Sequence, residues 1–177
     1  MYELVYVPYN EVMKVLGIDP GYSLVGFGVV EEYKNSYKLL KAGVIDTSNE
    51  KNFEKKLLII FDTVDKLVKE FKPEFICVEE LFFNRNVKTG IKVAQAIGVI
   101  KLVALKNGVK VIEITPLEVK KYITGTSGKH PKVQIQNLIR IILNLDDVIK
   151  PDDAADSVAI AIAGLGKIFD RAKAERL

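Results

Sequence analysis

Residues 14–31, KVLGIDPGYSLVGFGVVE, carry two short apolar runs with an Asp-Pro-Gly between them. Residues 14–19 (KVLGID) read as a short buried strand ending on Asp19. Pro20-Gly21 suits the middle of a type II turn. Residues 23–31 read as the next strand, antiparallel across that turn, and residues 37–46 (YKLLKAGVID) as a third. The period then changes. Over 52–71, Leu57, Phe61, Val64, Val68 and Phe71 recur at four- and three-residue intervals with charges between them, which marks an amphipathic helix. Pro73 ends it. Residues 75–79 (FICVE) form an apolar run of the kind found in a parallel strand covered on both faces. A long helix over 87–107 follows, then a strand over 109–114 and a short helix from Pro116 to about Ile123. A loop over 124–130 and helices over 131–145 and 151–169, each opened by a proline, complete the chain. This order predicts an α/β fold: a mixed five-stranded sheet, part hairpin and part parallel, with helices on both faces. Sites in such sheets gather at the C-terminal ends of the parallel strands.

The chain has 177 residues, 49% hydrophobic and 28% charged, which fits one domain and excludes a disordered or collagen-like polymer. One cysteine, Cys77, excludes an intramolecular disulfide, and no cysteine–histidine cluster is present to hold zinc. No run approaches the length of an uncharged membrane helix, and residues 1–13 do not read as a signal peptide. The expectation is a soluble cytoplasmic protein with no membrane partner. Net charge is +3 but unevenly spread: residues 85–140 hold 11 Lys and Arg against only Glu113 and Glu118, while both flanks are acidic. Such a basic middle is either a set of solvated helix faces or a surface for a polyanion. Nucleic acid accounts for the scarcity of acids, because a carboxylate beside a phosphate lowers affinity.

Acids stand at awkward places. Asp19 ends the first strand and Glu79 ends a buried one, where an ionised carboxylate is costly unless paired or bound to a metal. Asp19 could instead initiate a turn, and either Glu79 or its neighbour Glu80 could simply face solvent. Asp152 and Asp153 suit a helix N-terminus. Asp156, among Ala154, Ala155, Val158 and Ala159, lies in apolar surroundings and shares a helix face with Asp153. If the first and fourth strands are neighbours, Asp19 and Glu79 end side by side, and the last helix adds its acids there. Carboxylates gathered without counter-charge repel, and divalent cations resolve the repulsion. Two Mg2+ ions about 4 Å apart would serve phosphodiester hydrolysis.

GIDPG (17–21), GFGVV (26–30), FICVEELFF (75–83), GIKVAQAIGVIKLV (90–103), VKKYITGTSGKHPKVQIQ (119–136) and DDAADSVAIAIA (152–163) occur in that order. Together they resemble the RuvC family of Holliday-junction resolvases, from Met13 to about Gly166. The resemblance implies a ribonuclease-H-like fold and a dimeric endodeoxyribonuclease for DNA recombination and repair. Such an enzyme nicks two opposing strands of a four-way DNA junction with two Mg2+ per site, Mn2+ substituting. It places the catalytic, metal-binding acids at Asp19, Glu79, Asp153 and Asp156, so choosing Glu79 over Glu80 and Asp153 over Asp152. It places a base-contacting aromatic at Phe82 and DNA-contacting lysines at Lys120 and at Lys132 or Lys129. Some relatives carry a histidine where Asp153 stands, so His130 is not a natural catalytic candidate here. Gly90, Ala94 and Gly98, four apart, form a small-residue stripe that either packs on its own sheet or, as the resemblance implies, meets a second copy in a homodimer. The resemblance further implies a branch-migration helicase partner of the RuvA and RuvB type. The nuclease domain is expected over 13–170, with an extension over 1–12 and a tail over 171–177. The rivals are an RNA-maturation nuclease on the same fold, half of a sugar-kinase-like ATPase, and a non-catalytic junction-binding protein, against which the four intact acids speak. The first lacks the Phe82 segment and the second needs two such halves.

Overall fold

The computed structural model describes residues 12–80 and 87–174. In chain order the elements are β1 (Met13–Asp19), β2 (Leu24–Tyr33), β3 (Ser36–Asp46), α1 (Phe53–Phe71), β4 (Phe75–Glu79), α2 (Val87–Lys106), β5 (Lys110–Ile114), α3 (Pro116–Thr124), α4 (Lys132–Ile142) and α5 (Asp152–Ala174). The five strands form one sheet in the order β3-β2-β1-β4-β5. β1 pairs antiparallel with β2 and parallel with β4, and β4 pairs parallel with β5. The expected mixed α/β sheet is therefore present, hairpin portion and parallel portion both.

Strand side chains alternate between faces, and each face has its own core. Leu16, Ile18, Ile76 and Val78 pack against Ile60, Val64, Ile100 and Val103 of α1 and α2. Val15, Cys77 and Ile114 pack against Ile139 of α4 and Val158, Ile160 and Leu165 of α5. Each fully buried aliphatic side chain contributes about 1.5–3 kcal/mol, so the sheet is held from both sides. Local signals set the helix ends. Asn52 caps α1 by accepting from the Lys55 N–H at 2.8 Å. Thr115 and Glu118 form a capping box on α3, with Pro116 in its first turn.

Some expectations shift. The core stripe of α1 is Ile60, Val64, Leu67 and Val68, while Leu57, Phe61 and Phe71 sit at its margin, partly buried against the same core. A stripe at 4-3-4-3 spacing drifts around a 3.6-residue helix, so two overlapping stripes share one face. Positive φ among the described glycines occurs at Gly108 and Gly125, not at Gly21, so Pro20-Gly21 makes no type II turn. Residues 20–23 join the strands instead, and Gly21 is needed because a Cβ there would strike the Leu24 carbonyl. Helix α4 stops at Ile142, short of 145, and α5 runs on to Ala174, past 169 and into the expected tail. Of the expected extension, only Val12 lies within the described residues.

Helix α2 turns Ala96, Ile97, Ile100, Val103 and Ala104 toward the sheet. Its opposite side leaves Val87, Ile91, Leu102 and Leu105 exposed by 66, 51, 55 and 78%. Ala94 and Gly98 lie on that outward side, and a Cβ at Gly98 would touch nothing within 4 Å. Ala94 and Gly98 of the small-residue stripe therefore do not pack on the chain's own sheet.

Candidate active site

The register of β1 and β4 pairs Ile18 with Val78, which leaves Asp19 and Glu79 adjacent at the C-terminal ends of two parallel strands. Helix α5 brings the other acids across the sheet. Its approach depends on three strand glycines. A Cβ at Gly17 would strike the Ser157 carbonyl and lie 2.5 Å from the Ala161 amide nitrogen. One at Gly26 would strike the Asp153 carbonyl, and one at Gly28 would lie 2.9 Å from the Val158 Cα. Glycine in a strand interior marks close backbone approach. Here it lets the first turns of α5 lie on β1 and β2, with Asp153 and Asp156 directed toward Asp19.

Asp19, Glu79 and Asp156 line one open cleft of about 290 Å³, together with Lys120, His130 and Lys132. Asp153 stands beside it, close enough for its charge to act on Asp19. Burial pushes the Asp19 carboxyl up to about 6, aided by the charges of Asp156 and Asp153 and opposed by Lys132. Burial likewise pushes Glu79 up to about 7, with Asp19 and Asp156 adding to the rise and Lys120 opposing it. The acids are thus partly dried and mutually repelling. An oxygen-only donor set in that condition suits a hard divalent cation. Among the described residues no group of three or more His, Cys, Asp or Glu side chains already stands at metal-binding distance. One protein cation has taken up part of the charge. The Lys132 ammonium lies 3.0 Å from Asp156 Oδ2 and 3.1 Å from Asp152 Oδ2, and Gln136 Nε2 donates to Asp152 Oδ1 at 3.0 Å.

Lys120 projects from α3, whose position is fixed by the capping box and by Lys167 of α5. The Lys167 ammonium pairs with Glu118 at 2.8 Å and donates to the Glu113 carbonyl at 3.0 Å. His130 hydrogen-bonds through its ring nitrogens to Thr126 Oγ1 at 2.8 Å and Gln134 Oε1 at 3.3 Å. It lines the cleft but touches no acid of it in these contacts.

Of the residues singled out from sequence, the fold brings Asp19, Glu79, Asp156, Lys120 and Lys132 to one cleft, with Asp153 at its edge. Lys129 is exposed in the loop and does not line it. Phe82 lies outside the described residues. The reading of the sequence missed Gly17, Gly26 and Gly28, although glycines inside apolar strand runs were the available signal. It also missed the pairing of Lys132 with Asp152 and Asp156, which a spacing of 20 and 24 residues does not announce.

Known proteins resemble this chain over most of its length. The family model described as crossover junction endodeoxyribonuclease RuvC matches residues 15–164. A crossover junction endodeoxyribonuclease RuvC of Fusobacterium nucleatum is 45% identical over 156 residues, covering 88% of this chain and 82% of that protein. The Thermus thermophilus RuvC structure superposes with a TM-score of 0.81 at 33% identity, covering 90% of this chain and 96% of that one. T. thermophilus RuvC in complex with Holliday junction substrate gives a TM-score of 0.79 at 31% identity, covering 90% and 95%.

Proposed function

We propose, since this chain belongs to the RuvC family of crossover junction endodeoxyribonucleases, that it resolves Holliday junctions by nicking two opposing strands of four-way DNA. The observation that carries this reading is the cleft at the ends of β1 and β4, where Asp19, Glu79 and Asp156 converge with raised Asp19 and Glu79 pKa values. Its support from relatives is the T. thermophilus protein solved with a Holliday junction substrate.

In this reading Asp19, Glu79, Asp153 and Asp156 would together hold two Mg2+ ions, with Mn2+ able to replace them. When bound, the ions supply water activation and neutralise charge at the scissile phosphate. The rest of the work falls to the protein. Rigid attachment of α5 to the sheet holds the four acids in register. Lys120 and Lys132 draw the phosphodiester into the cleft, Lys132 releasing Asp156 as it does so. The dry walls formed by Val119, Ile135 and Ile160 limit water around the acids. Phe82 is assigned to bases at the crossover by resemblance.

A junction offers two equivalent strands, and a twofold dimer presents two sites to them. The outward face of α2, with Val87, Ile91, Ala94, Gly98, Leu102 and Leu105 exposed, supports a homodimer through that helix. A branch-migration helicase complex is the further partner, and the cytoplasm the place of action. Among the described residues no helix is long and apolar enough to cross a membrane.

The test is Asp19→Asn with a labelled four-way junction. Binding in Ca2+ should persist, and cutting in Mg2+ should fall by at least two orders of magnitude. Undiminished cutting rejects the assignment of the acids.

A further inference from the structure

Beside the acids, on the sheet face covered by α1 and α2, lies a second basic feature. Tyr22 and Ser23 belong to the connection that follows Asp19. That connection is anchored by Thr47, whose hydroxyl donates to the Tyr22 carbonyl at 2.9 Å and whose N–H donates to the Ser23 carbonyl at 2.8 Å. Tyr22 meets Phe53 of α1 edge to face, with ring centroids 6.3 Å apart. Two ammonium groups face these rings. Lys92 Nζ of α2 lies 5.1 Å from the Tyr22 centroid and 5.6 Å from that of Phe53. Lys56 Nζ of α1 lies 5.7 Å from the Tyr22 centroid and donates to Ser23 Oγ at 3.1 Å.

Lys56 is only 8% exposed. Lysines are rarely so buried unless paired. Yet among the described residues neither Lys56 nor Lys92 has a carboxylate at ion-pair distance. The charge of Lys56 reaches Asp46 only at longer range, where it ranks behind the Ser48 hydrogen bonds in holding that carboxyl down. An ammonium has three donors, and the contacts of Lys56 account for one. Aromatic faces attract cations but accept no full ion pair. Two positive groups are thus gathered on one ring, three residues along the chain from Asp19, with no carboxylate of the described residues at ion-pair distance.

We propose that Lys56 and Lys92, steadied by Tyr22 and Phe53, form a second phosphate seat for the DNA backbone. It lies on the α1–α2 side of Asp19, whereas Lys120 and Lys132 lie on the α3–α4 side. The scissile phosphate then sits between two basic groups, and the backbone beyond it is held by Lys56 and Lys92. This deepens the resolvase reading and rests on it.

The test is a salt series with a fluorescent four-way junction and a linear duplex, in Ca2+, comparing wild type with Lys92→Gln, Lys56→Met and Lys38→Gln. Lys38 is an exposed residue at the far end of β3. For Lys92→Gln the slope of log affinity against log salt should shrink by about 0.7–0.9, the value of one phosphate contact. Its junction affinity near 0.1 M salt should fall roughly fivefold, its thermal midpoint should hold, and Lys38→Gln should match wild type. A Lys92→Gln slope equal to that of Lys38→Gln overturns the seat. So does a loss confined to Lys56→Met and accompanied by a lower thermal midpoint, which assigns Lys56 to holding α1 in place. A wild-type chain that binds duplex as well as junction overturns the resolvase reading alone, and the slopes still decide the seat. One that binds no DNA overturns both.

Discussion

The Lys132 ammonium stands 3.0 Å from Asp156 Oδ2, so an acid assigned to a divalent ion is already paired with a cation of the protein itself. Both side chains are about half exposed, at 50 and 41%, which limits the pair to about 0–1 kcal/mol. It is weak enough to exchange for a metal or a phosphate. Lys132→Gln should therefore leave folding within about 1 kcal/mol of wild type. Removing one positive charge near the ligands should tighten Mn2+ binding roughly three- to tenfold without DNA. Calorimetric titration measures this, and unchanged or weaker Mn2+ binding contradicts it.

The raised acids set a pH dependence of stability in the metal-free chain. Asp19 at about 6 and Glu79 at about 7 keep protons that the unfolded chain, with ordinary values of 3.8 and 4.5, has lost. The folded state is favoured below the unfolded values, and that advantage disappears as pH rises through 6 and 7. Asp19→Asn should then raise stability at pH 8 by on the order of 2 kcal/mol and change it little at pH 3.5. Urea unfolding at the two pH values distinguishes this from a general effect of the substitution. Mg2+ should stabilise wild type most at the alkaline end and should barely affect Asp19→Asn.

The glycine floor beneath α5 predicts a cost for a single methyl group. Gly17→Ala and Gly26→Ala place a Cβ against the Ser157 and Asp153 carbonyls, which are backbone and have little freedom to move. Each should cost about 1–3 kcal/mol, read as a lower unfolding midpoint in urea. Gly26→Ala should also slow cutting, since its clash is with the residue that carries one of the acids. A neutral Gly17→Ala would mean that α5 sits farther from the sheet.

The exposed side of α2 predicts the state of assembly. Ile91 and Leu102 are 51 and 55% exposed in the single chain, so changing them leaves the core alone. Ile91→Asp combined with Leu102→Asp should convert a dimer to a monomer by light scattering, with an unaltered far-ultraviolet circular dichroism spectrum. Persistence of the dimer would move the interface elsewhere.

Much of this was legible from sequence because local pattern and sheet topology agree. The apolar run Phe75–Val78 ending in Glu79 reads as a covered strand, and right-handed crossovers favour a place for it beside β1. Asp19 and Glu79 then meet by register. Asp153 and Asp156 followed from helical spacing, but choosing Asp153 over Asp152 required resemblance. In the fold Asp152 faces Lys132 and Gln136, whereas the backbone of Asp153 rests on Gly26. Long-range ion pairs such as Lys132–Asp156 leave no periodic trace, and neither does the gathering of Lys56 and Lys92 on Tyr22. Those depend on where loops and helix ends fall, which propensity does not set.

Helix α5 has thirteen buried residues and lies backbone to backbone on β1 and β2. A segment seated in this way has no route to local opening, because lifting it exposes a whole face of the sheet. The amide protons of its buried stretch, residues 157–165, should exchange with deuterium only through global unfolding, at the slowest rate in the molecule. Catalytic competence and the native fold would then be lost in one cooperative step, and no partly melted enzyme would survive with its acids out of line.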